Sequence, residues 1–512
     1  MNTLSFCIMV TIAVYLLLML AIGFMNSKNN SNSTDFYLGG RKIGPLVTAM
    51  SAEASDMSSW LLMGIPGLAY LSGICEPFWT ILGLGVGTYL NWLLVSKRLR
   101  KYSYNIDAYT IPQFFSKRFH DTKNHLSAIA AIVIIVFFVP YTASGFAACG
   151  KLFHSLFGVN YMVAMIASAL IITGYTIMGG FKAVSTTDFI QSIVMSIALV
   201  VVLGFAVTVA GGFDVVWENA KALPGHISLS LYHDVANNTA ASYGGVIAII
   251  STLAWGLGYF GMPHILLRFM AIENEQKLSL SRRVATVWVF LAMGIAMLIG
   301  LAGLAVTSTG AIEYLDTAAT SETIIVKISD LISQHGIFPA IVAGLILAGI
   351  LAATMSTADS QMLAAASSVS ENIMGEFLQV KMDEKKKILV ARIAIVAITV
   401  LGVILALNPD SSVFRIVSFA WAGFGGAFGP VMLLSLFWKR TTKQGALAGM
   451  IGGGAMVFIW KFLVKPLGGA FAIYELLPAF IFSLILAVVV SLLTKEPEES
   501  IIEEFTKAQR GE

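Results

Sequence analysis

The stretch Ala49-Met-Ser-Ala-Glu-Ala-Ser-Asp-Met-Ser-Ser-Trp60, continuing Leu61-Leu-Met-Gly-Ile-Pro-Gly67, decides how the rest of the chain is read. It lies in an apolar segment, 45–72, long enough to cross a bilayer, yet its middle holds Glu53 and Asp56, a cluster of serines and alanines, and a Gly-Ile-Pro-Gly break. A carboxylate at the centre of a membrane helix costs about 2.5–3.5 kcal/mol on insertion scales, so such a residue normally faces a cavity, an ion or a solute. Small residues around it let the helix open and turn its carbonyls away from the next turn. The stretch reads as an interrupted helix that carries an ion and solute site. The alternative is a carboxylate inside the bundle, paired with an arginine.

Composition places this segment in a membrane. The 512 residues are 57% hydrophobic and only 12% charged, where soluble domains carry about 25% charged residues. A net charge of +3 argues against nucleic acid as a partner. Cys7, Cys75 and Cys149 lie far apart with no metal-ligand spacing and read as small core residues. The apolar run at the N-terminus lacks a basic leader and a cleavage site and is long enough to span, so it reads as a helix rather than a signal peptide. A phosphate loop, a His-Glu-x-x-His pair and a Gly-x-Ser-x-Gly elbow are all missing, which leaves a membrane enzyme without support.

Apolar runs of about 20 residues predict an all-α integral membrane protein with about 13 transmembrane helices: 4–25, 45–72, 76–96, 124–150, 160–179, 186–210, 242–262, 284–308, 337–370, 388–407, 413–437, 443–464 and 473–493. Basic residues alternate between the connecting segments. One side holds Lys28, Arg41 and Lys42, the group from Lys97 to Lys123, Lys182, Arg268, Lys277, Arg282 and Arg283. The same side continues with Lys381, Lys385, Lys386 and Lys387, then Lys439, Arg440 and Lys443, then Lys495, Lys507 and Arg510. The other side has Lys151, Lys221, Lys327, Arg415, Lys461 and Lys465. The asymmetry predicts the N-terminus outside and the C-terminus in the cytoplasm. The Asn-x-Ser/Thr matches at Asn29 and Asn32 then fall on the cytoplasmic side and are discounted as glycosylation sites. Outside loops near 211–241 and 309–336 are expected to be ordered caps or short helices. The tail 494–512 carries Ile501, Ile502 and Phe505 among acids, a short amphipathic helix at a solvated end.

A second interruption lies at Leu253-Ala-Trp-Gly-Leu-Gly-Tyr-Phe-Gly-Met-Pro-His264, where three glycines and a proline make continuous helix costly. It comes five spans after the first. Broken helices at matching places in two halves point to an inverted repeat with a midplane site. The segment 4–25 is then an extra helix, 45–210 and 242–437 the two five-helix repeats, and 443–493 two peripheral helices. In the ninth span, Ala353, Ser356 and Thr357 fall at i, i+3 and i+4 on one helix face. Two hydroxyls and a carbonyl on one stripe, with carbonyls freed near Ala54 and Met57, provide a shell of oxygens suited to a hard monovalent cation. The alternative for Ser356 and Thr357 is close helix packing.

Several words of the sequence, spread over nearly the whole chain, carry a family resemblance. They are Gly-Gly-Arg41-Lys, Ala-Ser-Asp56-Met-Ser, Trp60-Leu-Leu-Met-Gly, Pro140-Tyr-Thr-Ala-Ser-Gly, Gly179-Gly-Phe-Lys-Ala-Val-Ser-Thr-Thr-Asp188, Trp255-Gly-Leu-Gly-Tyr-Phe-Gly-Met-Pro-His-Ile-Leu-Leu-Arg-Phe-Met270 and Ala352-Ala-Thr-Met-Ser-Thr357. In these the chain resembles the sodium/solute symporter family, and within it the bacterial members that carry proline. The resemblance implies a LeuT-type core, a bacterial plasma membrane, and import of L-proline driven by Na⁺ as coupling ion, with no obligate protein partner. It implies sodium binding at Ala54, Met57, Ala353, Ser356 and Thr357, and ion coupling through Asp56 and Asp188. It places a gate at Arg41 and a solute site at Ser58, Trp60, Tyr141, Trp255, Tyr259 and Pro263. A compact zwitterion with an apolar ring suits such aromatic walls and an opened helix end. The alternative for each aromatic is ordinary packing.

The chain departs from the family pattern at Ser59, where the proline carriers commonly have Gly before the Trp. Glu53 and Asp359 are further polar residues in spans whose roles stay open. Competing functions are a sodium- or proton-coupled importer of another small amino acid or organic acid, and, in a different class, a channel or membrane sensor.

Overall fold

The computed structural model describes residues 3–27 and 33–510. Lys28, Asn29 and Asn32 lie outside the described residues. Among those described, nine helices are long and apolar enough to cross a membrane, or eleven if each of two bent pairs counts as one span.

The first interrupted segment behaves as its sequence predicts. Helix Pro45–Asp56 stops, Met57 leaves helical geometry (φ −84°, ψ 77°), and the chain resumes through Trp60–Gly64 into helix Ile65–Ser72. The second breaks likewise. Helix Gly245–Leu253 tightens into a 3₁₀ stretch, Ala254–Phe260, before helix Pro263–Ala271 leaves at a bend of 45°. The span expected to end at 262 therefore continues to Ala271, because Pro263 starts a new helix at its first turn, where no N–H is needed.

The glycines of this second break do more than weaken a helix. A Cβ on Gly256 would run into the Gly83 carbonyl, and one on Gly258 into the Trp421 indole. Backbone thus approaches backbone and ring more closely than any side chain allows. Carbonyls that lose helical partners here find others: Asn91 Nδ2 donates to Tyr259 O at 3.0 Å, and Trp421 Nε1 to Trp255 O at 2.8 Å. Buried backbone oxygens need such donors, above all in lipid.

Around the two broken helices pack His125–Phe157, Leu278–Ser308, Ile337–Ser367 and Val413–Phe437, with Thr3–Ser27 lying outside against Tyr161–Ala210 and Ile337–Ser367. The spans expected at 160–179 and 186–210 join without a loop. Residues Tyr161–Ala210 stay helical apart from Gly180 (φ 66°, ψ −177°), a backbone conformation that glycine adopts at little cost. The long loops are ordered caps: helix Phe213–Ala222 with hairpin Leu231–Asp234/Thr239–Ser242 in one, helices Ala318–Ser321 and Ile324–Ser333 in the other.

The tail is not a solvated end. Helix Glu499–Arg510 buries Ile501, Phe505 and Ala508, and the Arg118 guanidinium lies 4.9 Å from the Phe505 ring centroid. Arg268, expected in a cytoplasmic loop, is fully buried inside the bundle. The sequence rule counts basic residues near span ends, and this span ends later than its apolar run suggests.

Candidate functional site between the broken helices

The site grows from diverted backbone bonds. In a continuous helix the Ser58 N–H would bond to Ala54 O; here it donates to Asp56 O at 3.0 Å. The Leu61 N–H, which would serve Met57 O, donates to Ser58 O at 3.0 Å instead. Ala54 and Met57 thus have carbonyls without their helical donors. Ser356 Oγ donates to Ala54 O at 2.8 Å, across 302 positions of chain, and to Ala353 O at 3.1 Å. Thr357 Oγ1 donates to Ala353 O at 3.1 Å. Four of the five predicted sodium ligands therefore meet directly, and Met57 borders them at the break. All five residues are buried.

Asp56 sits at the same break. Its carbonyl accepts from Trp60 Nε1 at 2.9 Å and from the Tyr141 hydroxyl at 3.1 Å. Its carboxylate accepts from the Tyr259 hydroxyl at 2.6 Å through Oδ2, while Oδ1 has no hydrogen-bond partner among the described residues. No Lys or Arg side chain pairs with it among those residues. Glu53, one turn earlier, accepts from Trp92 Nε1 at 3.1 Å, and its Oε2 has no hydrogen-bond partner among the described residues. Helix Pro45–Asp56 thus carries two buried carboxylates answered only by neutral donors.

An aromatic wall stands beside Asp56. Trp60 and Trp255 stack with ring centroids 6.2 Å apart, and Tyr259 meets Trp421 edge-on at 5.0 Å. Ser58 and Tyr141 are buried beside it, the Trp60 N–H lying 3.5 Å from Ser58 Oγ, so five of the six predicted solute residues meet at the break; Pro263 is buried at the start of the helix that leaves the second break.

Asp188 and Arg41 lie apart from this cluster. Asp188 accepts from Ser51 Oγ at 2.6 Å and pairs with Arg268 at 3.0 Å. Arg268 also donates to Ser360 Oγ at 2.7 Å and to His264 O at 2.8 Å, and Ser360 reaches Asp359 Oδ1 at 3.3 Å. The arginine-paired carboxylate of the alternative reading thus exists, but it is Asp188, not Asp56. Arg41 lies at one end of the bundle. Its guanidinium donates to Met270 O at 2.9 Å, Ser103 O at 3.1 Å and Ala108 O at 2.6 Å, tying the start of the first broken helix to the end of the second. Burial and the nearby Arg100 push it down to about 10, so it stays charged at neutral pH. Its φ of 56° is uncommon for a residue with a side chain, and these bonds hold it there.

Sequence reasoning missed Phe414, Trp421 and Tyr474, whose rings lie 5.4, 6.2 and 5.0 Å from that of Trp255, and Arg268. The three aromatics come from elements with no break to draw attention. Arg268 was visible as a charge within an apolar run, the same signal that singled out Asp56.

With this geometry in view, similarity to known proteins carries weight. A profile described as "Sodium:solute symporter family" matches residues 36–453. The chain belongs to the sodium:solute symporter family. It is 40% identical over 494 residues to the osmoregulated proline transporter OpuE of Bacillus subtilis (strain 168), covering 96% of each chain. It is also 40% identical over 501 residues to the sodium/proline symporter of Escherichia coli (strain K12), covering 98% of this chain and 96% of that protein. In fold it is similar to a Na⁺-coupled sialic acid symporter in a substrate-bound outward-open state, with a TM-score of 0.77 at 18% identity over 97% of this chain and 99% of that one. A nucleobase-cation-symport-1 family transporter, Mhp1, aligns with a TM-score of 0.51 at 13% identity over 93% of this chain and 98% of that one. The fold is the all-α membrane architecture of LeuT type that the family resemblance implies, and the family is one of multi-pass transporters, not enzymes.

Proposed function

We propose that this chain is a sodium-coupled symporter that imports L-proline by alternating access. The observation that carries the reading is the meeting of Ser356 Oγ with Ala54 O at 2.8 Å, beside a helix break that frees a second carbonyl at Met57. Sodium takes oxygen ligands, and Ala54, Met57, Ala353, Ser356 and Thr357 supply five without a net charge. Asp56, buried with no counter-charge among the described residues, gains most from a cation nearby. Proline's carboxylate meets backbone N–H groups at the opened helix end, and its ring lies against Trp60, Tyr141, Trp255 and Tyr259, with Ser58 and Pro263 completing the pocket. Asp188 supports ion passage through Ser51, and Arg41 closes the cytoplasmic gate.

In this reading the helix 4–25 is an extra one, 45–210 and 242–437 are the inverted repeats, and 443–493 holds the peripheral helices. With thirteen crossings the termini lie on opposite sides of a bacterial plasma membrane, and the asymmetry of basic residues assigns the N-terminus to the outside and the C-terminus to the inside, with Arg41 at the cytoplasmic end. Ser59 favours a second reading, another small amino acid on the same scaffold: its hydroxyl is buried with no partner among the described residues.

Uptake of labelled proline into vesicles under an imposed sodium, potassium or proton gradient tests both. The expected result is accumulation with sodium alone. Equal accumulation without sodium contradicts the coupling, and sodium-driven uptake of another amino acid but not proline selects the second reading.

A further inference from the structure

Glu53 belongs neither to the oxygen shell around Ser356 nor to the aromatic wall. Its surroundings come from three elements. On helix Cys75–Leu94, Thr88, Asn91 and Trp92 fall at i, i+3 and i+4 and share one face. Trp92 Nε1 donates to Glu53 Oε1 at 3.1 Å, and Asn91 Nδ2 donates to Tyr259 O at 3.0 Å, so this face meets both broken helices. Tyr259 closes the circuit: its hydroxyl donates to Asp56 Oδ2 at 2.6 Å, with Thr88 beside it.

Each member of the circuit keeps an oxygen to spare. Glu53 Oε2, Asp56 Oδ1, Thr88 Oγ1 and Asn91 Oδ1 are all buried with no hydrogen-bond partner among the described residues. The Asn91 amide cannot turn over to hide its oxygen, because only its nitrogen can donate to Tyr259 O. The charge that bears on Glu53 is Asp56, a second anion, and among the described residues no Lys or Arg bears on either. Two like charges buried on one helix, with spare oxygens around them, call for a cation. Water would supply hydrogen bonds but no charge. The charge balance gives the number. The proposed ion at Ala54, Met57, Ala353, Ser356 and Thr357 brings one positive charge to a helix that carries two carboxylates, which leaves one unanswered.

We infer that Glu53, Asp56, Thr88 and Asn91 hold a second sodium ion, so that two ions accompany each solute molecule. The inference rests on the sodium-coupled reading above and deepens it. The two ion sites share the first broken helix but no ligand: one is completed from helix Ile337–Ser367, the other from helix Cys75–Leu94. Asp56, at the break, lies between them and links the arrival of one ion to the other.

Equilibrium binding of radioactive sodium to the purified full chain, at saturating proline, tests this. The expected result is two ions per chain in the native protein and one in Glu53→Gln, whose remaining ion at Ser356 and Thr357 reports that the variant is folded. In proteoliposomes the charge moved per labelled proline should fall from two to one in the same variant. Thr88→Val is expected to weaken binding of the second ion about tenfold, and Thr88→Ser to recover it. That order is the reverse of what packing requires, since Val fills the space of Thr and Ser does not. If Glu53→Gln binds no sodium at all, the Thr88 pair decides: equal binding in Val and Ser overturns the site. One ion per chain in the native protein, whether Glu53 then takes a proton or meets the solute's ammonium, overturns the second site and leaves sodium coupling in place. Two ions in Glu53→Gln overturn its assignment to these residues. No sodium bound by the native chain overturns the coupled reading, and the second site with it.

Discussion

Two buried aspartates, 132 positions apart in sequence, answer the same problem in opposite ways. Asp188 is met by a protein cation: Arg268 at 3.0 Å, steadied by Ser51 and Ser360. Asp56 is met by a phenol, the Tyr259 hydroxyl at 2.6 Å, and keeps one oxygen unpartnered among the described residues. Both hang on the helix Pro45–Asp56, Asp56 through its backbone and Asp188 through Ser51. The difference teaches where a charge is answered within the fold and where it is left open. A paired carboxylate has its counter-charge once the chain has folded; in the proposed reading, an unpaired one at a helix break gets it from an ion that arrives from outside.

The largest expected effect follows from removing charge at each place. Asp188→Asn leaves Arg268 buried without its partner, a loss of about 3–5 kcal/mol, to be read as a fall in thermal stability. Asp56→Asn removes no such pair, so the protein should remain inserted and folded while sodium activation of uptake is severely weakened. If Asp188→Asn proves as stable as the native chain and Asp56→Asn does not, the contrast is reversed and the account fails.

Next in size are the hydroxyls across from the break. Ser356→Ala and Thr357→Ala should each raise the sodium concentration for half-maximal uptake by about tenfold, measured at saturating proline. A change in the proline requirement alone would place the ion ligands elsewhere. Trp255→Ala should chiefly lower apparent solute affinity, read in competition binding; an unchanged affinity removes Trp255 from the pocket. Smallest is Ser59→Gly, which deletes a buried hydroxyl that has no partner among the described residues and restores the residue common in proline carriers. Proline affinity is expected to rise by about threefold or less, and a fall would assign that hydroxyl a contact with the solute.

The contrast also shows what the sequence could tell. Asp56 announced itself because a charge and a break coincide within one apolar run, and the i, i+3, i+4 spacing of Ala353, Ser356 and Thr357 put three oxygens on one face. Local rules of period and cost suffice for such features. Arg268 was legible as a charge but not as the partner of Asp188, since 80 positions separate them and nothing local encodes that meeting. Phe414, Trp421 and Tyr474 likewise become part of the site only through packing. The glycines at 256 and 258 were read as helix breakers; that they also admit Gly83 and Trp421 needed the neighbouring helices. The tail looked solvated because its apolar residues are few, yet Phe505 docks against Arg118 and Tyr102.

The most direct test of the central claim is a sodium titration of labelled-proline binding to the purified chain and to the double variant Ser356→Ala, Thr357→Ala. The account predicts sodium-dependent binding in the native protein. In the variant, half-activation should shift upward by at least about tenfold, with proline affinity unchanged once sodium saturates. Proline binding that ignores sodium in the native chain, or an identical sodium curve in the variant, would contradict it.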